Sequence, residues 1–220
     1  MTAPAHPSPS IARLAMVIII AAVAVALAHA VDRTVFLRID APGAADNDWA
    51  RALRITGYLP TWLVIAAALA LIDSRRAAFP PPLRDRWTRA ATLALAPALA
   101  GLFAELLKLV IRRERPALPD AAYIFRPFAE SPWSTSGLGM PSSHTAVAFG
   151  AAYILTRLHP AAWPVWMGIA AGCGLTRILA RAHFASDVIA GALTGLAAGA
   201  IVWALHLRVA RPADREADPC

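Results

Sequence analysis

The chain has 220 residues, 58% of them hydrophobic and only 16% charged, with a mean hydropathy of +0.54. That balance excludes a water-soluble domain and suits an all-α, polytopic membrane protein, expected as one domain over residues 1–220. The net charge is +7. The cations flank apolar spans, so lipid headgroups and topology account for them and nucleic acid does not.

Six apolar segments are expected to cross the membrane. The first runs from Leu14 to Val31. Ala28-His29-Ala30 resembles a small-x-small cleavage site, but no Lys or Arg precedes Arg13, so an uncleaved span is expected. Cleavage after Ala30 would leave the outward face unchanged. The following loop mixes Arg33, Arg38, Arg51 and Arg54 with Asp32, Asp40, Asp46 and Asp48. The second segment, Ile55 to Ile72, contains Pro60, and the third, Ala90 to Val110, contains Pro97; either proline can kink a membrane helix. Between these two lie Arg75, Arg76, the connector Phe79-Pro80-Pro81-Pro82, Arg84 and Arg86. The loop from Ala117 to Met140 carries Tyr123, Phe125, Phe128 and Trp133, which suits an aromatic belt at the headgroups, with a lid as the alternative. The fourth segment, Ser143 to Leu158, is short for a crossing unless its first turn includes the residues just before it. The fifth spans Ala161 to Leu179 and the sixth Val188 to Val209. Residues 211–220 form a polar tail.

Cys173, inside the fifth segment, and Cys220 have no metal-ligand spacing and build no disulfide framework. Six spans place both termini on one side. The short basic second loop and the exit at Arg208 and Arg211 mark that side as cytoplasmic.

Three polar clusters sit at span ends, where ionisable groups beside hydrocarbon are costly and point to a site. The first continues the third segment through Lys108, the sole lysine among 21 cationic side chains, to Arg115. At 100° per residue, Lys108, Arg112 and Arg115 fall within about 60° of one another. Such a stripe suits a dianionic phosphate, and equally snorkelling toward headgroups. Pro116 is expected to stop the helix at Arg115, and Glu105 is placed to pair with Lys108. The second cluster, Pro141-Ser142-Ser143-His144, reads as a helix start whose serines cap it and whose free N–H groups attract an anion. An ordinary cap uses the same residues. In the third, Thr176-Arg177 precede His183 and Asp187, which are four apart. On a helical turn that carboxylate reaches the imidazole, fixes its tautomer and raises the basicity of the other nitrogen. A lone interfacial His–Asp bond is the plainer alternative.

Taken together and in this order, K-x6-R-P at Lys108 to Pro116, P-S-x-H at Pro141 to His144 and R-x5-H-x3-D at Arg177 to Asp187 resemble the signature of the type 2 phosphatidic acid phosphatase superfamily. That family is related in fold to vanadium haloperoxidases and bacterial acid phosphatases. The resemblance covers about residues 90–209. Arg126-Pro127 is a second Arg-Pro pair, but Pro119 stands where the lysine would be. Two positions depart from the pattern: Ser143 replaces the usual glycine and Thr176 the usual serine.

The resemblance implies a helical-bundle phosphatase core and a catalytic set of His183, His144 and Asp187. His183 would attack phosphorus, Asp187 would orient it, and His144 would protonate the leaving oxygen and then activate water. Lys108, Arg115, Arg177, Ser142 and the Ser143 N–H would hold the phosphate oxygens, with Arg112, Arg113 and Arg181 available for headgroup contacts. No metal or other cofactor is implied. One histidine must begin neutral and the other protonated, so a bell-shaped pH profile is expected. The implied setting is the inner membrane of a bacterial-type cell, with the site on the outer, periplasmic face. The implied partners are membrane lipids and a lipid phosphate: undecaprenyl pyrophosphate, phosphatidic acid or phosphatidylglycerol phosphate. A phosphotransferase, a non-enzymatic lipid transporter or scaffold and, more distantly, a haloperoxidase are the alternatives. The motifs read only the phosphate and leave the lipid tail and the oligomeric state open.

Overall fold

The computed structural model describes residues 11–39, 43–75 and 83–209. The Pro-rich connector at 79–82, Asp40, Arg76 and the tail at 211–220 lie outside the described residues. The described elements are helical: α1 (Ile11–Arg38), α2 (Asp48–Ile55), α3 (Leu59–Arg75), α4 (Leu83–Ile111), α5 (Ser143–Leu158), α6 (Trp163–Leu179) and α7 (Ala185–Val209). Among the described residues, β pairing is confined to isolated bridges that join Arg113 to Phe125 and Glu114 to Leu138.

Several boundaries differ from the apolar segments. α1 continues past Val31 to Arg38, so Asp32, Arg33 and Arg38 lie on helix rather than loop. The second segment is broken. α2 and α3 meet at 68° across Thr56-Gly57-Tyr58. Pro60 lacks an N–H and has a φ suited to a first turn, so it starts α3 instead of kinking it. The Thr56 hydroxyl donates to the Leu53 carbonyl at 2.7 Å, and the Trp62 indole donates to the Thr56 carbonyl at 2.7 Å. These bonds hold the corner. Pro97 does lie within α4.

Helices α5 and α6 have 16 and 17 residues. At 1.5 Å per residue they reach about 24–26 Å, short of a hydrocarbon core of about 30 Å. Length and composition mark three helices as able to cross a membrane (α1, Arg89–Ile111 of α4 and Ala185–Arg208 of α7), or four if α2 and α3 form one bent span. The six apolar segments suggested more.

The bundle is built around α5, which packs on α4, α6 and α7. Most of its buried residues are small, with Ala146, Ala148, Gly150, Ala151 and Ala152 set among Thr145, Val147 and Ile154. Lipid tails are as apolar as leucine, so membrane helices gain by close backbone approach, which small residues permit. Gly191, Gly195 and Gly199 of α7 repeat every four residues and face Ser142, Ala146 and Tyr153 along α5. A Cβ at Gly191 would lie 2.5 Å from the Ser142 carbonyl oxygen. Gly150 does the same against Ala96 and Ala100 of α4. Thus α5 and α7, which carry the second and third polar clusters, are locked in register. By contrast α1 is largely exposed, with Asp32 and Phe36 as its buried residues.

Candidate active site

The three clusters converge at one end of the bundle, each on a different support. Lys108 occupies the last turn of α4, where its side chain is 5% exposed. Its ammonium pairs with Glu105 at 2.8 Å and donates to the Ser143 hydroxyl at 2.6 Å. The Ser143 hydroxyl in turn donates to Glu105. The Ser143 hydroxyl, at a position where the resemblance implies glycine, is therefore committed to Lys108 and Glu105.

The helix does not reach Arg115. It ends at Ile111, and Arg112 adopts φ 57, closing the last turn through its N–H to the Lys108 carbonyl at 2.8 Å. The left-handed conformation is unfavourable for arginine. It is offset by buried hydrogen bonds. The guanidinium donates to the carbonyls of Arg126 at 3.0 Å, Pro127 at 2.9 Å and Glu130. Arg112 thus pins the loop between α4 and α5, and the expected Lys108–Arg112–Arg115 stripe is corrected to Lys108 and Arg115. Arg115 lies beyond the bend, exposed, with its N–H bonded to the Gly137 carbonyl at 3.0 Å.

Ser142 and His144 lie at the start of α5. Ser142 stands at the N-cap, but its side chain makes no capping bond, contrary to the expected serine cap. It is fully buried and accepts from the Thr145 hydroxyl at 3.1 Å, while its N–H donates to the Asp187 carbonyl at 2.9 Å. Ala146 N–H bonds back to Ser142, so Ser143, His144 and Thr145 supply the first-turn donors that a helix leaves without an intrahelical partner. The His144 ring meets Tyr58 edge-on, centroids 4.8 Å apart. Its Nε2 is buried with no hydrogen-bond partner. Gly57 makes this approach possible, since a Cβ there would lie 2.8 Å from the His144 Cβ.

His183 and Asp187 flank the start of α7. His183 Nδ1 is 3.4 Å from Asp187 Oδ2, and both side chains are buried. Asp187 Oδ2 also accepts the Phe184 N–H at 2.9 Å, and its Oδ1 accepts from Arg113. Burial pushes the imidazole of His183 below its ordinary pKa; Asp187 pulls it back up, while Arg177 and Arg115 push it further down. Arg177, in the last turn of α6, is 8% exposed, and its Nε has no partner. Lys108, Arg115, Arg177 and His183 all act electrostatically on His144. Thr176, next to Arg177, donates its hydroxyl to the Cys173 carbonyl at 2.7 Å. Three cations (Lys108, Arg115 and Arg177), a helix start and two histidines are therefore gathered at one end of the bundle, an arrangement whose donors suit a tetrahedral anion.

Two of the arginines assigned to headgroups have other work. Arg181, at φ 52, donates to the Ile39 carbonyl at 2.6 Å and stacks over Phe36, tying the His183 turn to the end of α1. Arg113 is 2% exposed and grips Asp187 and Ser186. Among the described residues, no group of three His, Cys, Asp or Glu could hold a metal ion. Sequence reasoning missed Tyr58, Ser186, His29 and the burial of Asp32. A carboxylate directly after the apolar run that ends at Val31 was the available signal for Asp32.

The chain is 32% identical over 165 residues to the decaprenylphosphoryl-5-phosphoribose phosphatase of Mycobacterium tuberculosis, covering 74% of this chain and 81% of that protein. It is 38% identical over 100 residues to the lipid A 1-phosphatase of Rhizobium etli, covering 44% of this chain and only 41% of that protein. The fold matches the transmembrane PAP2-type phosphatidylglycerolphosphate phosphatase of Bacillus subtilis, with TM-score 0.61 and 20% identity over 90% of this chain and 96% of that one. The sequence model of the PAP2 superfamily matches residues 89–211, the stretch that holds all three clusters, and the chain belongs to that superfamily.

Proposed function

We propose that the protein is a membrane lipid phosphatase that works through a phosphohistidine on His183. The observation that carries this reading is the buried His183–Asp187 pair, 3.4 Å apart, facing Arg177, Arg115 and the start of α5. With Nδ1 turned to Asp187, Nε2 is the nitrogen left for phosphorus. In the first step the Nε2–P bond forms as the P–O bond to the lipid leaving group breaks, and His144 delivers a proton to that oxygen. In the second, His144 takes a proton from water, the water oxygen bonds to phosphorus and the N–P bond breaks. Lys108, Arg115, Arg177, Ser142 and the first-turn N–H groups of α5 carry the charge of the three equatorial oxygens. That is positioning plus electrostatic stabilisation of a loose transition state.

The substrate class proposed is a lipid-anchored phosphate, with a polyprenyl-phosphoryl phosphosugar first. A relative that acts on such a molecule is matched over 81% of its length. An apolar groove of about 780 Å³ between α1, α4 and α7 supports a hydrocarbon tail; Leu106 and Leu107 line it beside Lys108. Six crossings, counting the short α5 and α6, an inner-membrane location and an outward-facing site complete the proposal.

The test is free-phosphate release by the purified protein in detergent with EDTA present. The substrates are a polyprenyl-phosphoryl phosphoribose, a lipid A 1-phosphate, phosphatidic acid, phosphatidylglycerol phosphate and undecaprenyl pyrophosphate. Release that His183→Ala abolishes supports the phosphatase. Release that persists in the mutant, or that EDTA stops, refutes the mechanism. Phosphate appearing on an added acceptor instead of in water would favour a phosphotransferase.

A further inference from the structure

Asp32 is a fully buried carboxylate on α1, a helix outside the matched family region. A buried charge in an otherwise apolar membrane helix requires compensation. Its Oδ1 accepts the Ser186 N–H at 2.8 Å and its Oδ2 accepts the Ser186 hydroxyl. Arg113 Nη1 lies 3.7 Å from Oδ2, and His29 Nδ1 and the Tyr123 hydroxyl lie 3.5 and 3.4 Å from it. Arg113 also donates to Ser186 at 2.7 Å and to Asp187, sits 3.2 Å from His29 and stacks over Tyr123 and Phe184. The result is a buried row of alternating groups: His183, Asp187, Arg113, Asp32.

The order of charges matters. Asp187 stabilises a positive imidazole only with the charge that Arg113 leaves it. Taken alone, a guanidinium on Asp187 Oδ1 would cancel most of that charge in a site shielded from water. We propose that Asp32 is a positioning residue for the phosphatase reaction: it offsets Arg113, so that Arg113 holds Asp187 in place without neutralising it. When His183 becomes cationic on phosphorylation, the row reads plus, minus, plus, minus and is balanced. Without Asp32 the same row carries one uncompensated positive charge. This inference rests on the phosphatase reading above.

Two readouts test it: kcat for phosphate release, and the titration of His183 followed by NMR on isotopically labelled histidine in detergent, assigned by the resonance lost in His183→Gln. The groups facing His183 are Asp187 on α7, Arg177 on α6, Arg115 in the loop after α4 and His144 on α5, and all stay unchanged. Asp32→Asn keeps the size of the side chain and removes its charge. The expected result is a His183 titration lower by about one unit and a kcat lower by about tenfold. Adding Arg113→Gln to Asp32→Asn should return both to within about threefold of the wild type. A merely anchoring role for Asp32 predicts no change in the titration and no recovery in the double variant, and that outcome overturns the proposal. Should Asp32→Asn fail to fold, Arg113→Gln alone carries the test. With Asp32 in place it must raise the His183 titration, and no rise overturns the proposal. A wild type that releases no phosphate refutes the phosphatase reading and leaves the NMR arm to judge the charge row.

Discussion

Gly191 is the most direct test of how the helices hold the site together. A Cβ there would lie 2.5 Å from the Ser142 carbonyl oxygen and 3.1 Å from the Thr145 Cβ. Carbon–oxygen contacts settle near 3.3 Å. Gly191→Ala therefore has to move α7 and the start of α5 apart by about 0.8 Å, the difference between that spacing and the 2.5 Å available. Backbone, not a flexible side chain, stands in the way. Overpacking of this kind costs about 1–3 kcal/mol. For a chain of this size that lowers the melting temperature by several degrees. The catalytic cost should be larger, because α5 carries Ser142 and His144 while α7 carries Asp187. A misplacement near 1 Å costs up to about a hundredfold in rate. Melting temperature in detergent and kcat for phosphate release are the two assays. Gly168→Ala, on an exposed face of α6 where a Cβ meets nothing within 4 Å, is the control and should gain about 0.5–1 kcal/mol. If Gly191→Ala melts and turns over like the wild type, close approach of α5 and α7 does not build the site and the reasoning fails.

The pH profile follows from the burial of His183. In the proposed reaction its neutral form attacks, and burial holds its pKa below the ordinary 6.5, so activity should persist into mild acid and fall only as pH drops through the lowered value. An acid limb of kcat/KM at or above pH 6.5 would contradict this. Arg112→Ala leaves the Arg126, Pro127 and Glu130 carbonyls short of a buried donor, at a cost of about 1–3 kcal/mol. The loop at 117–140 should then be cut faster in limited proteolysis while KM stays within about threefold. A KM that rises with the loop still protected would restore Arg112 to the phosphate.

Part of the geometry of the candidate site was legible because it is local. Glu105 and Lys108 lie one turn apart on α4, so their pairing follows from periodicity, whereas His183 precedes α7 and meets Asp187 across the helix start, four residues away. Arg112 was misjudged for a reason of the same kind. Pro116 limits how far a helix can run, but it does not oblige the helix to run that far. Loop carbonyls that needed a donor drew Arg112 out at φ 57. The grip of Arg113 on Asp187 spans 74 residues and the Ser186 bond to Asp32 spans 154, and no local pattern encodes either. The corner at Gly57 is equally non-local, since it exists to let Tyr58 reach His144. The four-residue glycine repeat on α7 was present in the sequence. It had meaning only once Ser142, Ala146 and Tyr153 were seen to face it.

The attachment of α1 by one end has a consequence for biogenesis. Its buried residues, Asp32 and Phe36, meet Ser186, Phe184 and Arg181, all encoded near the far end of the chain. The first described helix to leave the ribosome is thus among the last to be fastened. Until α7 arrives, Asp32 has Arg113, His29 and Tyr123 beside it but lacks the Ser186 N–H and hydroxyl, and ring closure over 154 residues supplies these last two donors. A chain stopped before Arg181 can insert its early helices but leaves the first one without the Ser186, Phe184 and Arg181 contacts that complete its docking.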